Sequence, residues 1–135
     1  MPKFEPKVAA IIQARLGSKR LPGKVLMSIG PKTMLQWVID RTWLAGGLEC
    51  IVVATPDKRI ADFVDRTYNN VPIWSYWHRS KDEDDVLTRY IHAANFCDAE
   101  IIIRITADCP LIDPEIIKSA MSAIGNHDVC SNVQY

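Results

Sequence analysis

The chain has 135 residues, enough for one small domain with its own core and too few for two. Hydrophobic residues make up 48% and charged residues 24%, the balance of an ordinary soluble globular chain. Sixteen Lys and Arg cancel sixteen Asp and Glu, so global charge gives no case for a nucleic-acid or membrane-surface partner, and no apolar run is long enough to span a bilayer.

The first seven residues are polar and contain proline, without the apolar segment of a signal peptide. Val8-Ala9-Ala10-Ile11-Ile12 then reads as a buried strand. It breaks into a loop that carries Arg15, Lys19, Arg20 and Lys24 among Gly17, Ser18 and Gly23. Glycines let backbone N–H groups turn inward as an anion nest, and the cations neutralise a polyphosphate. Pro22-Gly23 fixes where Lys24 sits. The spacing is not that of a Walker A loop, since five residues separate the glycines and Val25 follows Lys24; nor is it G-x-G-x-x-G. Composition alone leaves two readings open, a phosphate loop or a solvated basic loop with two turn glycines.

Thr33-Met34-Leu35-Gln36 has the form of a capping box and opens a helix. Met34, Leu35, Val38, Ile39 and Leu44 follow at helical spacing, and Gly46-Gly47 ends it. Trp37 and Trp43 in this helix read as packing residues. Cys50-Ile51-Val52-Val53-Ala54 is a second buried strand, and Thr55-Pro56-Asp57 turns into a helix containing Ile60, Ala61, Phe63 and Val64. Val71-Pro72-Ile73-Trp74 is a third strand at a sheet edge, because Pro72 has no N–H to give a ladder. Trp74, Tyr76 and Trp77 cluster there as an apolar cover. The acidic run Asp82-Glu83-Asp84-Asp85 precedes a helix with Val86, Leu87, Tyr90, Ile91 and Ala94 at helical period, where the macrodipole favours negative charge.

Ile101-Ile102-Ile103-Arg104-Ile105-Thr106 is the fourth strand, running into Ala107-Asp108-Cys109-Pro110. Asp113 caps the next helix with Pro114 at its first position; Ile116, Ile117, Ala120, Met121 and Ile124 face the core and Gly125 ends it. Asp128–Asn132 begins what reads as a fifth strand. The four cysteines form no C-x-x-C pair and have no zinc-finger partner, which predicts free thiols in a reducing, cytoplasmic setting. The histidines at 78, 92 and 127 are dispersed, with His92 on the polar side of its helix and no hydrolase triad in view. Continuous apolar strands alternating with amphipathic helices predict an α/β fold with a mostly parallel sheet and helices on both faces.

The order Q-A-R-L-G-S-K-R-L-P-G-K-V-L resembles the signature loop of the cytidylyltransferases that activate sugar acids as CMP-sugars. It looks most like the branch described as spore-coat polysaccharide biosynthesis cytidylyltransferases and is similar to the 3-deoxy-manno-octulosonate cytidylyltransferases. In that family an A-R-x-x-S-x-R-L-P-G-K loop wraps the triphosphate of CTP, and Ala14, Arg15, Ser18, Arg20, Leu21, Pro22, Gly23 and Lys24 match it in order. The resemblance covers nearly the whole chain and implies the Rossmann-like nucleotidyltransferase fold, three layers of α/β/α, over residues 1–135 as one domain. Relatives also carry a D-D-V-L-x-R-Y segment lining the site, matched here by Asp84, Asp85 and Arg89; the helix-terminus account of these acids stands beside that reading.

Asp108 directly follows a buried strand, where open α/β sheets bind ligands, and a carboxylate there suits Mg²⁺ on a nucleoside triphosphate. R-I-T-A-D-C-P-L-I-D also resembles a family segment whose first Asp binds the metal. The expected reaction is attack of a sugar-acid hydroxyl on the α-phosphorus of CTP with loss of pyrophosphate, in surface polysaccharide synthesis. Arg15 and Lys24 are the expected catalytic cations, with Arg20 a third. Ala14, Gly17, Ser18 and Asp85 complete the nucleotide site, and Asp108 takes Mg²⁺. Family members run to nearly twice this length, and the resemblance places a second metal-binding acid, most of the sugar pocket and a dimer contact in the part not represented. Three alternatives stay open: a fragment, a naturally short protein, or a chain completed by a partner such as a second copy. A catalytically silent nucleotide-binding module and a nucleotidyltransferase using another nucleoside triphosphate are the competing functions.

Overall fold

Strand β1 (Val8–Gln13) has Ala9, Ala10, Ile11 and Ile12 fully buried, and both faces of the sheet are built outward from it. In the computed structural model, which describes residues 7–78 and 85–132, the chain leaves β1 through a loop that ends in a 3-10 turn at Lys24–Leu26. A short antiparallel ribbon follows, β2 (Ser28–Ile29) with β3 (Lys32–Thr33), turned at Gly30 with φ 62°. The sequence reading does not foresee this ribbon, since two-residue strands carry no periodicity.

Helix α1 (Met34–Trp43) opens on the expected capping box. Gln36 N–H donates to Thr33 Oγ1 at 3.2 Å, and Thr33 N–H donates to Gln36 Oε1 at 2.9 Å. The helix closes at Leu44 and the chain turns through Gly46 and Gly47, both at positive φ; Leu44 points outward, not into the core. Next come β4 (Cys50–Thr55), buried along its whole length, α2 (Lys58–Thr67), and β5 (Ile73–Trp77). Then follow α3 (Val86–Cys97), β6 (Ile101–Thr106) and α4 (Pro114–Ile124).

The four longer strands form one sheet in the order β5-β4-β1-β6, every pairing parallel. This is the expected α/β/α sandwich. Ala10 and Ile12 of β1 point to a core shared with Leu35, Val38 and Ile39 of α1, Ile60 and Val64 of α2, and Ile117 of α4. Ala9 and Ile11 point the other way, to Tyr90, Ala93, Ala94 and Cys97 of α3. Full burial of such an aliphatic side chain contributes about 1.5–3 kcal/mol.

β5 sits at an edge, as Pro72 predicts. Its aromatics do not form one cluster, because successive strand residues face opposite ways. Trp74 and Tyr76 meet Phe96 of α3 at 6.4 and 5.4 Å, while the Trp77 indole donates to the Pro56 carbonyl at 3.1 Å. Three other expectations are corrected. Residues 128–132 form no strand: they are exposed and have no ladder partner among the described residues. In α3, Leu87 and Ile91 are exposed, and the buried stripe is Arg89, Tyr90, Ala93, Ala94 and Cys97. In α4 only Ile117 is buried and Ile116 is exposed, since that helix lies over the margin of the core.

Candidate active site

The strand order places a topological switch point between β1 and β6. From β1 the chain builds one way, through β4 to β5, and then crosses to the other side of β1 for β6. Loops leaving the carboxyl ends of β1 and β6 therefore diverge, and ligands bind in the crevice this opens. A cleft of about 1170 Å³ lies there. Its walls are Gln13–Arg15, Gly17–Arg20, Lys24 and Val25 on the β1 side, Thr106–Asp108 on the β6 side, and Val86 from the start of α3.

The β1 loop is held by its own backbone. The Leu16 carbonyl accepts from the N–H groups of Ser18 and Gly23, both at 2.9 Å, and Ser18 Oγ accepts from Leu21 N–H at 3.3 Å. Gly23 takes a left-handed backbone, φ 72° and ψ 12°, and so lets the 3-10 turn bring Lys24 back to the cleft. Gly17 is not among the residues of positive φ. Ala14 is pinned by its N–H to the Ala54 carbonyl at 3.1 Å. Among the described residues, no hydrogen bond within the chain occupies the backbone N–H of Gly17, Lys19 or Arg20. Those N–H groups and the side chains of Arg15, Lys19, Arg20 and Lys24 make one wall of the cleft cationic.

The opposite wall supplies one carboxylate. Asp108 Oδ2 lies 3.5 Å from Lys24 Nζ, with the acid about half exposed to the cleft. Partial burial works to raise its pKa, but the Thr106 hydroxyl and the Lys24 charge outweigh this and hold the group below the usual carboxylate value. An ionised hard-oxygen donor facing a polycationic wall fits a divalent cation carried in on a polyphosphate. Among the described residues no set of three or more His, Cys, Asp or Glu is gathered in metal-binding geometry, and Asp108 is the one acid among the residues lining the cleft.

Of the sequence candidates, Ala14, Arg15, Gly17, Ser18, Arg20, Lys24 and Asp108 come together on this cleft. Asp85 stands apart from its lining as the N-cap of α3: its carboxylate accepts from Thr88 N–H at 3.2 Å, and the Thr88 hydroxyl first, then that N–H, lower its pKa. Arg89 is fully buried on the inner side of α3, and Asp84 lies outside the described residues. Two features escaped sequence reasoning. His78 and His92, dispersed in the chain, meet at 4.8 Å beside Tyr76. The Asp57 side chain reaches from the start of α2 to the β1 loop: it accepts no N–H from its own helix and accepts from Leu16 N–H at 2.8 Å.

Residues 9–134 match the cytidylyltransferase family. The chain belongs to that family. Among relatives, it is 37% identical over 116 residues to the 3-deoxy-manno-octulosonate cytidylyltransferase of Idiomarina loihiensis, covering 86% of this chain and 45% of the relative. It is 38% identical to the 8-amino-3,8-dideoxy-manno-octulosonate cytidylyltransferase of Shewanella frigidimarina, covering 90% and 49%. Among solved structures, a cytidylyltransferase from Leptospira borgpetersenii superposes with a TM-score of 0.77 at 31% identity, over 92% of this chain and 51% of that one. A CMP:2-keto-3-deoxy-manno-octonic acid synthetase complexed with CTP gives a TM-score of 0.77 at 28% identity, over 90% and 48%. The chain spans about half the length of the curated relatives it matches.

Proposed function

We propose that the cleft takes the triphosphate of CTP and serves cytidylyl transfer to a sugar acid, giving a CMP-sugar and pyrophosphate. The observation that supports this most is the pairing of a cationic, backbone-braced loop after β1 with an ionised acid after β6, at the switch point of a parallel sheet. The reaction needs little covalent help from a protein. It needs a sugar hydroxyl aligned on the α-phosphorus and positive charge around oxygens that gain negative charge. Arg15 and Lys24 supply that charge, Arg20 adds to it, and the loop from Ala14 to Ser18 holds the nucleotide. Asp108 would hold Mg²⁺, which when bound offsets charge on the phosphate oxygens and the departing pyrophosphate. The finer placement in spore-coat or other surface polysaccharide synthesis rests on the loop and R-I-T-A-D-C-P-L-I-D segments, and a cytoplasmic setting accords with free thiols. No described helix is long and apolar enough to cross a membrane.

The test is pyrophosphate release from CTP and Mg²⁺ across a panel of sugar acids, run beside calorimetric binding of CTP, UTP and GTP. Release with CTP and one sugar acid supports the reading. Binding without release on every acid indicates the nucleotide-binding module instead. A preference for UTP or GTP overturns the base assignment.

A further inference from the structure

Asp57 occupies the N-cap position of α2 with extended backbone, φ −105° and ψ 114°, and its carbonyl accepts the first helical N–H groups, from Ile60 and Ala61. An aspartate there ordinarily turns its carboxylate onto an N–H of the first turn. This one makes no such bond. Its Oδ2 instead crosses between two strands' loops to accept from Leu16 N–H at 2.8 Å, 41 residues away in sequence and partly shielded from water.

Leu16 is the hub of the cationic loop. Its carbonyl gathers the N–H groups of Ser18 and Gly23, so one residue joins the two ends of the turn that presents Ser18, Lys19, Arg20 and Lys24. Asp57 holds the other side of that hub and is itself oriented from behind. Its own N–H donates to Oγ1 of the fully buried Thr55 at 3.1 Å, and the carbonyl of the preceding Pro56 accepts from the Trp77 indole at 3.1 Å. A carboxylate taken from helix capping and applied to a phosphate-facing loop is a positioning device. We infer that Asp57 is a positioning residue that sets the conformation of the Ala14–Lys24 loop for a triphosphate, through Leu16 N–H and without touching the nucleotide. This rests on the proposed role of that loop.

Three variants separate the alternatives. Asp57→Ser keeps a good N-cap for α2 but is one atom too short to reach Leu16; Asp57→Asn keeps an oxygen at full reach; Asp57→Ala removes both. In nucleotide-free protein, hydrogen exchange of the loop amides is expected to quicken by about tenfold in Ser and Ala, the scale of one lost hydrogen bond, and to stay much closer to wild type in Asn, which keeps the acceptor oxygen. CTP affinity is expected to fall by about tenfold in Ser and Ala with CMP affinity almost unmoved, and Asn is expected to rescue it. Because Ser still caps α2, its thermal midpoint holds, which distinguishes loop positioning from general loss of structure. Unchanged loop exchange in Ser overturns the inference, as does an Asn variant as impaired as Ala. Exchange needs no nucleotide: if wild-type protein fails to bind CTP, the functional reading falls, and the exchange result still decides the role of Asp57.

Discussion

Lys24 and Asp108 face each other at 3.5 Å, both partly exposed, so the cleft holds a cation and an anion that, under the proposed function, a Mg²⁺–triphosphate would engage separately. Such an exposed pair contributes little to stability and is easily exchanged for a ligand. Two outcomes follow at this scale. Lys24→Ala is expected to weaken CTP binding by about 1.5–3 kcal/mol, the range for a hydrogen bond to a charged group, with far less effect on CMP. Equal losses for the two nucleotides in calorimetry would show that Lys24 does not reach the β- and γ-phosphates. Asp108→Asn removes an anion that competes for Lys24. Metal-free CTP binding should therefore be retained or strengthened, while the gain from adding Mg²⁺ shrinks. Titrations with and without Mg²⁺ decide this, and an undiminished Mg²⁺ effect rules Asp108 out as the metal residue. The depressed pKa fixes the pH sign: the carboxylate stays charged from neutral pH downward until its lowered folded value is passed, so Mg²⁺ dependence is steady near neutrality and lost only in acid.

The elements around the site show what a chain reveals about itself. Asp113 accepts from Glu115 N–H at 2.9 Å with Pro114 in the first turn of α4, so the cap read from D-P-E is present. Asp113→Ala is expected to cost about 0.5–2 kcal/mol in denaturant melts and to leave CTP binding intact. A normal melt with abolished binding would reverse the roles given to the two aspartates. Gly23 makes a second element-scale case. A Cβ there meets nothing within 4 Å, so Gly23→Ala is disfavoured by backbone alone, at φ 72°; it should lower stability by about 1 kcal/mol and loosen the turn carrying Lys24. Loop exchange rates measure that directly, and wild-type rates would contradict it. Caps, apolar runs and turn glycines were legible because each acts on residues within a few positions. Asp57 was not, since D-K-R-I reads as a helix start and its true partner lies in another loop. The His78–His92 contact and the outward turn of Leu87 and Ile91 were hidden for a related reason: they depend on which helix face meets the sheet. The supposed strand at 128–132 has strand-like residues but no ladder partner among the described residues, and local propensity cannot supply one.

At the scale of the molecule, one sheet divides two unequal cores, and the smaller, under α3, holds two buried thiols. Cys50 on β4 and Cys97 on α3 are both free and buried. Burial first, and then the neighbouring Cys97, push the Cys50 thiol from 9.0 up to about 11. The sign of the linkage is fixed by that direction. A folded pKa above the unfolded one means the native state keeps a proton that the unfolded chain releases. The stability tied to it is therefore complete below about pH 9 and is lost as pH rises toward about 11. A shift of this size corresponds to about 3 kcal/mol, a large part of the margin by which a small domain is folded. Cys50→Ala lowers stability at neutral pH by opening a small gap beneath α3, yet it removes the titration. The stability difference between wild type and Cys50→Ala should accordingly narrow by about 2–3 kcal/mol between pH 8 and pH 11. Denaturant melts of both proteins across that window measure it. Parallel curves would mean that Cys50 ionises in the folded protein as easily as in the unfolded chain, and that the α3 face admits water where the packing here excludes it.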